Sequence, residues 1–191
     1  MRIGVISDTH IPDRCEHIPE VVLNAFKHVD LIVHAGDIVN LEAIDELKSV
    51  CPKVVAVAGN MDSQAVVKKF PVKEVFEISG FKFGLMHGRG APINLTELLK
   101  DAFKTEKPDI IIFGHSHKAM NKFVDGVLFF NPGSATDCLS GDASYGIIEI
   151  AGDAGAWMSK VVPYEDNWLA QFLDTIRSPA TGRAGSSAPA K

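Results

Sequence analysis

Seven side chains able to bind a metal ion recur along this chain in one setting: Asp8 and His10, Asp37, Asn60, His87, and the pair His115 and His117. Each follows a short apolar run. The runs are Ile3 to Ile6, Leu31 to Val33, Val54 to Val57, Phe81 to Met86 and Ile110 to Phe113. Taken singly, several read equally well as turns. Gly-Asp occurs three times, at 36–37, 141–142 and 152–153, and Asn60 after Gly59 suits a left-handed turn. Only Asp37 among the three Gly-Asp pairs follows a buried-type strand, and two His around one small residue directly after an apolar run are unusual for a surface loop. Two Asp, one Asn and four His form a mixed set that suits Mn²⁺, Fe, Zn²⁺ or Ni²⁺ and not a Ca²⁺ cage. Seven donors exceed one tetrahedral ion; they fit two ions that share a carboxylate.

The elements that must position these donors are strands. In open α/β sheets the ligand crevice lies beyond the carboxyl ends of the strands, so five runs would deliver their donors to one rim. Further β-rich runs are Lys73 to Ile78, Val127 to Phe130 and Tyr145 to Ile150. Helical spacing places Val22, Leu23 and Phe26 on one face of Pro19 to Lys27, and Ile44, Leu47 and Val50 on one face of Leu41 to Val50. Asn94-Leu95-Thr96-Glu97 has the form of a capped helix start, opening a helix to about Phe103. Strand-helix alternation in the first half implies parallel β-α-β units. Ser79-Gly80 reads as a hairpin turn, and 118–163 is mostly strands with Gly-rich turns. The expected architecture is α/β (α+β): a four-layer α-β-β-α sandwich of two mixed sheets flanked by helices. Residues 1–176 are expected to form one domain closed by a helix over Trp168 to Ile176; the Ala, Ser, Gly and Pro composition of 177–191 predicts a disordered tail.

Composition narrows the function. In 191 residues the formal net charge is -5, so no basic field favours extended nucleic acid or an anionic membrane. No apolar run approaches the ~20 residues of a membrane helix, and the N-terminal run is too short for a signal peptide. Three widely spaced Cys make neither a disulfide framework nor a zinc pattern. A cytoplasmic protein is expected.

Asp8-x-His10, Gly36-Asp37, Gly59-Asn60, His87-Gly88 and Gly114-His115-x-His117, in that order, resemble the calcineurin-like metallophosphoesterases, in particular the short bacterial and archaeal phosphodiesterase branch. The resemblance spans 1–163. It implies two metals, with Mn²⁺ first and Ni²⁺, Zn²⁺ or Fe²⁺ as alternatives. One ion would take Asp8, His10, Asp37 and His117; the other would take Asp37, Asn60, His87 and His115. Asp37 would bridge, since a pair of dications needs a shared anion to lower its repulsion. A water between the ions would attack phosphorus in line, with a small phosphodiester as substrate.

Two positions depart from that pattern. Met61 stands where many members carry a His that protonates the leaving group, so alcohols of low pKa, such as aryl alcohols, should leave best. Asp62 is the candidate to assist through a water, or else it caps the following turn. Arg89 stands where related short members often have His. It would grip substrate phosphate through its planar fork, or else it is a solvated loop residue. Asn131-Pro132-Gly133-Ser134 reads as a structural turn, His34 as a buried hydrogen-bonded strand residue, and His17 and His28 as surface residues. The alternative function is a protein-binding scaffold. Asp8-x-His10-Ile11-Pro12-x-Arg14-Cys15 and Asn131 to Thr136 also resemble the phosphoesterase-like subunit of the eukaryotic retromer complex. That subunit's metal positions are incomplete, whereas every position is filled here. A homo-oligomer stays open.

Overall fold

The computed structural model describes residues 1–137, 143–151 and 157–164. The helix expected over Trp168 to Ile176, the tail at 177–191 and the turns at 141–142 and 152–153 lie outside the described residues.

Two five-stranded sheets carry the fold. The first comprises β1 (Arg2–Ile6), β2 (Leu31–His34), β3 (Val54–Ala56), β9 (Ser144–Ile150) and β10 (Trp157–Pro163), in the order β10-β9-β1-β2-β3. The second comprises β4 (Lys73–Ile78), β5 (Phe81–Met86), β6 (Ile110–Ile112), β7 (Met120–Val124) and β8 (Val127–Asn131), in the order β4-β5-β6-β8-β7. In each sheet three strands run parallel: β1, β2 and β3 in one, and β5, β6 and β8 in the other. The antiparallel neighbours are β9, β10, β4 and β7. Both sheets are therefore mixed, as expected.

The period-two alternation of the strands builds three apolar layers. Ile3 and Val5 of β1 point between the sheets, where they meet Phe83, Leu85, Ile110, Ile112, Leu128 and Phe130. Ile6 of β1 and Ile32 of β2 point outward, onto α1 (Glu20–Phe26) and α2 (Leu41–Val50) through Val22, Phe26, Ile44 and Leu47. On the far side, Ile111, Phe113 and Phe129 pack against Leu95, Leu99 and Phe103, from and just after α4 (Leu95–Ala102). This is the α-β-β-α layering. The edge strands β4 and β7 are only half-buried and carry Lys73, Glu74, Glu77 and Lys122, charges that discourage pairing with another chain.

Two local readings differ. Asn94 does precede α4, but its side chain makes no capping bond. The chain enters through the 3-10 turn Pro92–Asn94, and the Asn94 backbone (φ -118°, ψ 21°) is not the extended conformation a cap needs. The helix α3 (Gln64–Lys69) had no sequence signal. Six residues are too few to display a 3.6-residue period, and Val66 is its buried anchor.

Candidate metal centre

All seven predicted donors leave the carboxyl ends of parallel strands. Asp8 and His10 follow β1, Asp37 follows β2, Asn60 follows β3, His87 follows β5, and His115 and His117 follow β6. Parallel pairing within each sheet, with the sheets packed face to face, gathers these ends on one rim. Five of the donors form one cluster. The ligating atoms of Asp8, His10 and His117 lie within 4.8 Å of one another, as do those of Asp8, Asp37 and His87. Asp37 Oδ2 stands between His87 Nε2 (3.2 Å) and His10 Nε2 (3.7 Å). Asp8 Oδ1 stands likewise between His117 Nε2 (3.2 Å) and His87 Nε2 (3.8 Å). Both carboxylates thus face imidazoles on two sides. Asn60 and His115 form a neighbouring pair, Oδ1 to Nδ1 at 2.9 Å, and the His115 ring meets His87 edge-on at 5.3 Å.

The backbone around these donors is unusual. Asp8, His10, Asp37, His115 and His117 all have positive φ, between 44° and 68°. Left-handed conformation at a residue other than glycine costs on the order of 1–3 kcal/mol each, and it persists only where surrounding bonds over-determine it. Those bonds are present. Asp8 N–H donates to Gly36 O and His10 N–H to Asp37 O, both at 3.0 Å. Ser7 Oγ donates to Asp8 Oδ2 at 2.6 Å, and His115 N–H reaches the same carboxylate. Two glycines permit the close approach. A Cβ at Gly59 would collide with Asp37 Oδ1, and one at Gly114 with Ser7 Oγ and Asp8 Oδ2.

The donor set fits metal ions on a specific observation. His87 Nδ1–H donates to Ala35 O at 2.7 Å, which leaves Nε2 as the free ring atom. That Nε2 is buried and makes no hydrogen bond. It faces Asp37 and Asp8 without the alignment of a hydrogen bond, as a metal-binding imidazole would.

Without metal, these imidazoles and carboxylates shift one another's proton affinity. Burial opposes a charge on His87, but Asp37 and Asp8 outweigh it and hold its pKa above the ordinary value. The hydrogen bond to Asp8 does the same for His117, against burial. At His10, burial wins over the pull of Asp37 and Asp8, and the pKa is lowered. Burial pushes Asp37 upward, but His87, the Met61 N–H and His10 together leave it below the usual range.

Asp62 binds backbone through both carboxylate oxygens. Its Oδ1 accepts from Val39 N–H and its Oδ2 from Gly59 N–H, both at 2.6 Å. Neither amide belongs to the turn that follows Asp62: Gly59 precedes it, and Val39 lies on the loop after β2. Arg89 lies exposed on the rim loop after His87, with no hydrogen bond or ion pair among the described residues. Met61 is 55% exposed beside Asn60.

Further residues brace the rim, His34 among them as the buried, hydrogen-bonded strand residue expected from the sequence. His34 is fully buried, Nε2 against Thr9 Oγ1 at 3.1 Å and Nδ1 accepting from Gly36 N–H at 3.2 Å. Thr9 and Gly36 flank Asp8 and Asp37, so His34 braces both loops. The turn at 131–134 is structural, as read, but it also supports the site. Asn131 Nδ2 donates to Gly114 O at 2.8 Å, Ser134 Oγ to Asp8 O at 2.9 Å and Thr136 Oγ1 to Thr9 O at 2.9 Å. Arg14 Nη1 lies 3.3 Å from His117 Nδ1 and 3.4 Å from Asp137 Oδ1, a meeting of distant segments that local spacing cannot announce.

Similar proteins are known. A protein of Methanothermobacter thermautotrophicus named "Probable metallophosphoesterase" is 40% identical over 153 residues, covering 80% of this chain and 88% of its own. A phosphodiesterase of Methanocaldococcus jannaschii is 30% identical over 164 residues, covering 78% and 93%. Among solved structures, wild-type Vps29 of Entamoeba histolytica complexed with Zn²⁺ superposes with a TM-score of 0.68 at 30% identity, covering 85% of this chain and 98% of that one. No helix among the described residues is long and apolar enough to cross a membrane. Residues 1–153 match the calcineurin-like phosphoesterase superfamily domain, and the chain belongs to that family.

Proposed function

We propose that this chain is a metal-dependent phosphodiesterase working with two divalent ions on a small phosphodiester. The observation that carries the reading is His87 Nε2, buried and unbonded between Asp37 and Asp8 while Nδ1 is held by Ala35 O. One ion is assigned Asp8, His10, Asp37 and His117. The other is assigned Asp37, Asn60, His87 and His115, and Asp37 is shared. Mn²⁺ is the first candidate, with Ni²⁺, Zn²⁺ and Fe²⁺ next; the Zn²⁺ in the Entamoeba Vps29 structure keeps zinc in the set. When bound, such ions supply Lewis acidity toward phosphoryl oxygens and a water made acidic near neutral pH.

The chain's own residues do the rest. Ser7 and the His115 N–H fix the Asp8 carboxylate, the Met61 N–H fixes Asp37 Oδ1 at 2.8 Å, and Ala35 O fixes the His87 tautomer. Donors held this way need no rearrangement as charge moves in the reaction, which is what electrostatic preorganisation requires. Arg89 is exposed at the rim, where its guanidinium would meet a phosphate oxygen. Met61 offers no proton to a leaving alcohol, so good leaving groups are favoured.

The test is metal content of the purified chain with hydrolysis of bis(p-nitrophenyl) phosphate in Mn²⁺, Ni²⁺ and Zn²⁺. Two ions per chain with turnover support the reading. Two ions with no turnover on a panel of nucleotide and lipid-derived diesters favour the scaffold. The scaffold reading draws on the likeness to Vps29 and on Ile93, an apolar side chain 88% exposed on the loop after His87.

A further inference from the structure

We infer that Asp62 is the positioning residue that holds Asp37 and Asn60 together, and that the ion assigned to Asp37, Asn60, His87 and His115 depends on it. The inference rests on the two-ion reading above and adds a residue that touches neither ion. Asp37 and Asn60 lie on separate loops, after β2 and after β3. Each loop contributes a carboxylate that accepts backbone N–H from the other. Asp37 Oδ1 takes the Met61 N–H at 2.8 Å, and Asp62 Oδ1 takes the Val39 N–H at 2.6 Å. Asp62 Oδ2 closes its own loop by taking the Gly59 N–H, also at 2.6 Å. Bonds from backbone amides to an ionised carboxylate are about twice as strong as neutral ones.

The Val39 bond matters for a second reason. Val39 has φ 72°, and a β-branched residue there is a true outlier that must be held in place. Asp62 is the side chain that binds its N–H, two residues after Asp37. At the other oxygen, Gly59 directly precedes Asn60. It packs so closely on Asp37 that a Cβ would strike Oδ1. Releasing Asp62 would therefore loosen Asp37 and Asn60 at once. It would leave Asp8 on its own bonds to Gly36 O and Ser7 Oγ, and His117 on its 3.2 Å contact with Asp8.

Asp62→Asn separates these contributions. The amide keeps one acceptor oxygen and turns an NH₂ toward the other N–H, so one of the two ties is lost. Asp62→Glu keeps two acceptor oxygens. Mn²⁺ titration of the full chain by calorimetry, with electron paramagnetic resonance, is the experiment. Wild type should bind two ions with a spin-coupled spectrum. Asp62→Asn should weaken the second ion, which draws on both Asp37 and Asn60, at least tenfold more than the first, which draws on Asp37 alone, and show the spectrum of an isolated ion. Asp62→Glu should recover part of the second affinity. Two ions at unchanged affinity with a coupled spectrum in Asp62→Asn overturn the inference. Wild type binding fewer than two ions overturns the two-ion reading instead. Hydrogen exchange of the metal-free wild type then decides Asp62, and it also serves if the variant does not fold. Slow exchange at the Val39 and Gly59 amides supports the tie, and rapid exchange at both overturns it.

Discussion

His87 Nε2 lies 3.2 Å from Asp37 Oδ2 at the bottom of the rim, and the two make no aligned hydrogen bond. A buried imidazole facing a buried carboxylate must be compensated, either by a proton or by a cation. In the metal-free protein a proton is favoured, since Asp37 and Asp8 overcome burial and raise the pKa of His87. His117 is raised by Asp8 in the same way. A divalent ion would displace those protons. Binding of Mn²⁺ should therefore release protons and weaken as the pH is lowered. Calorimetry in two buffers of different ionisation heat at pH 7 checks it; a buffer-independent heat would refute it.

The sign for stability is opposite in the metal-free protein. Groups with raised folded pKa values stabilise the fold below their unfolded value near 6.5 and lose that contribution as pH rises through the folded pKa. Metal-free protein should thus give up this stabilisation on going from pH 6 to pH 8, and added Mn²⁺ should restore it. Thermal melts with and without chelator measure the difference.

His34 has the reverse linkage. Burial pushes its pKa from 6.5 down to about 3, so the folded chain refuses a proton that the unfolded chain accepts. Its contribution is complete above the unfolded value and falls away as pH drops toward the folded one, by at most about 1.4 kcal/mol per pH unit. In His34→Gln the titrating group is gone. The stability of wild type relative to this variant should shrink between pH 7 and pH 5 in urea unfolding; a constant gap would contradict the assignment.

Met61→His places a proton donor beside Asn60, on a side chain position that is 55% exposed and has room for it. General acid assistance contributes roughly 10²–10⁴-fold where the leaving group is poor. The variant should gain at least tenfold in kcat on alkyl diesters and little on p-nitrophenyl diesters. Equal gains on both would show that Met61 does not limit leaving-group departure.

Arg89→Ala should raise KM several-fold for phosphodiesters and leave kcat nearly unchanged, because an exposed rim cation acts on binding. An unchanged KM removes Arg89 from the site.

Away from the rim, Leu99 is fully buried between α4 and the strands carrying Ile111 and Phe129. Leu99→Ala should cost about 2–5 kcal/mol in urea unfolding without altering the metal donors.

Strand-end placement of Asp8, His10, Asp37, Asn60, His87, His115 and His117 was legible in the sequence, because each follows an apolar run and local spacing survives folding. The two mixed sheets and their flanking helices were legible for the same reason: the alternation of Ile3, Val5 and Ile6 and the helical stripe of Ile44 and Leu47 are local patterns that burial enforces. The helix at Gln64–Lys69 was not, since six residues cannot show a period. What Asp62, His34, Arg14 and Asp137 touch was not legible either. Asp62 reaches Val39 across 23 residues, Thr9 meets His34 across 25, and Arg14 meets His117 across 103. Such contacts depend on which loops the parallel pairing of β1, β2 and β3 and the stacking of the second sheet bring together. The sequence by itself determined which atoms can hold metal. The tertiary structure decided how they are held, because only the packed loops supply the backbone amides and carbonyls that fix a carboxylate or choose an imidazole tautomer.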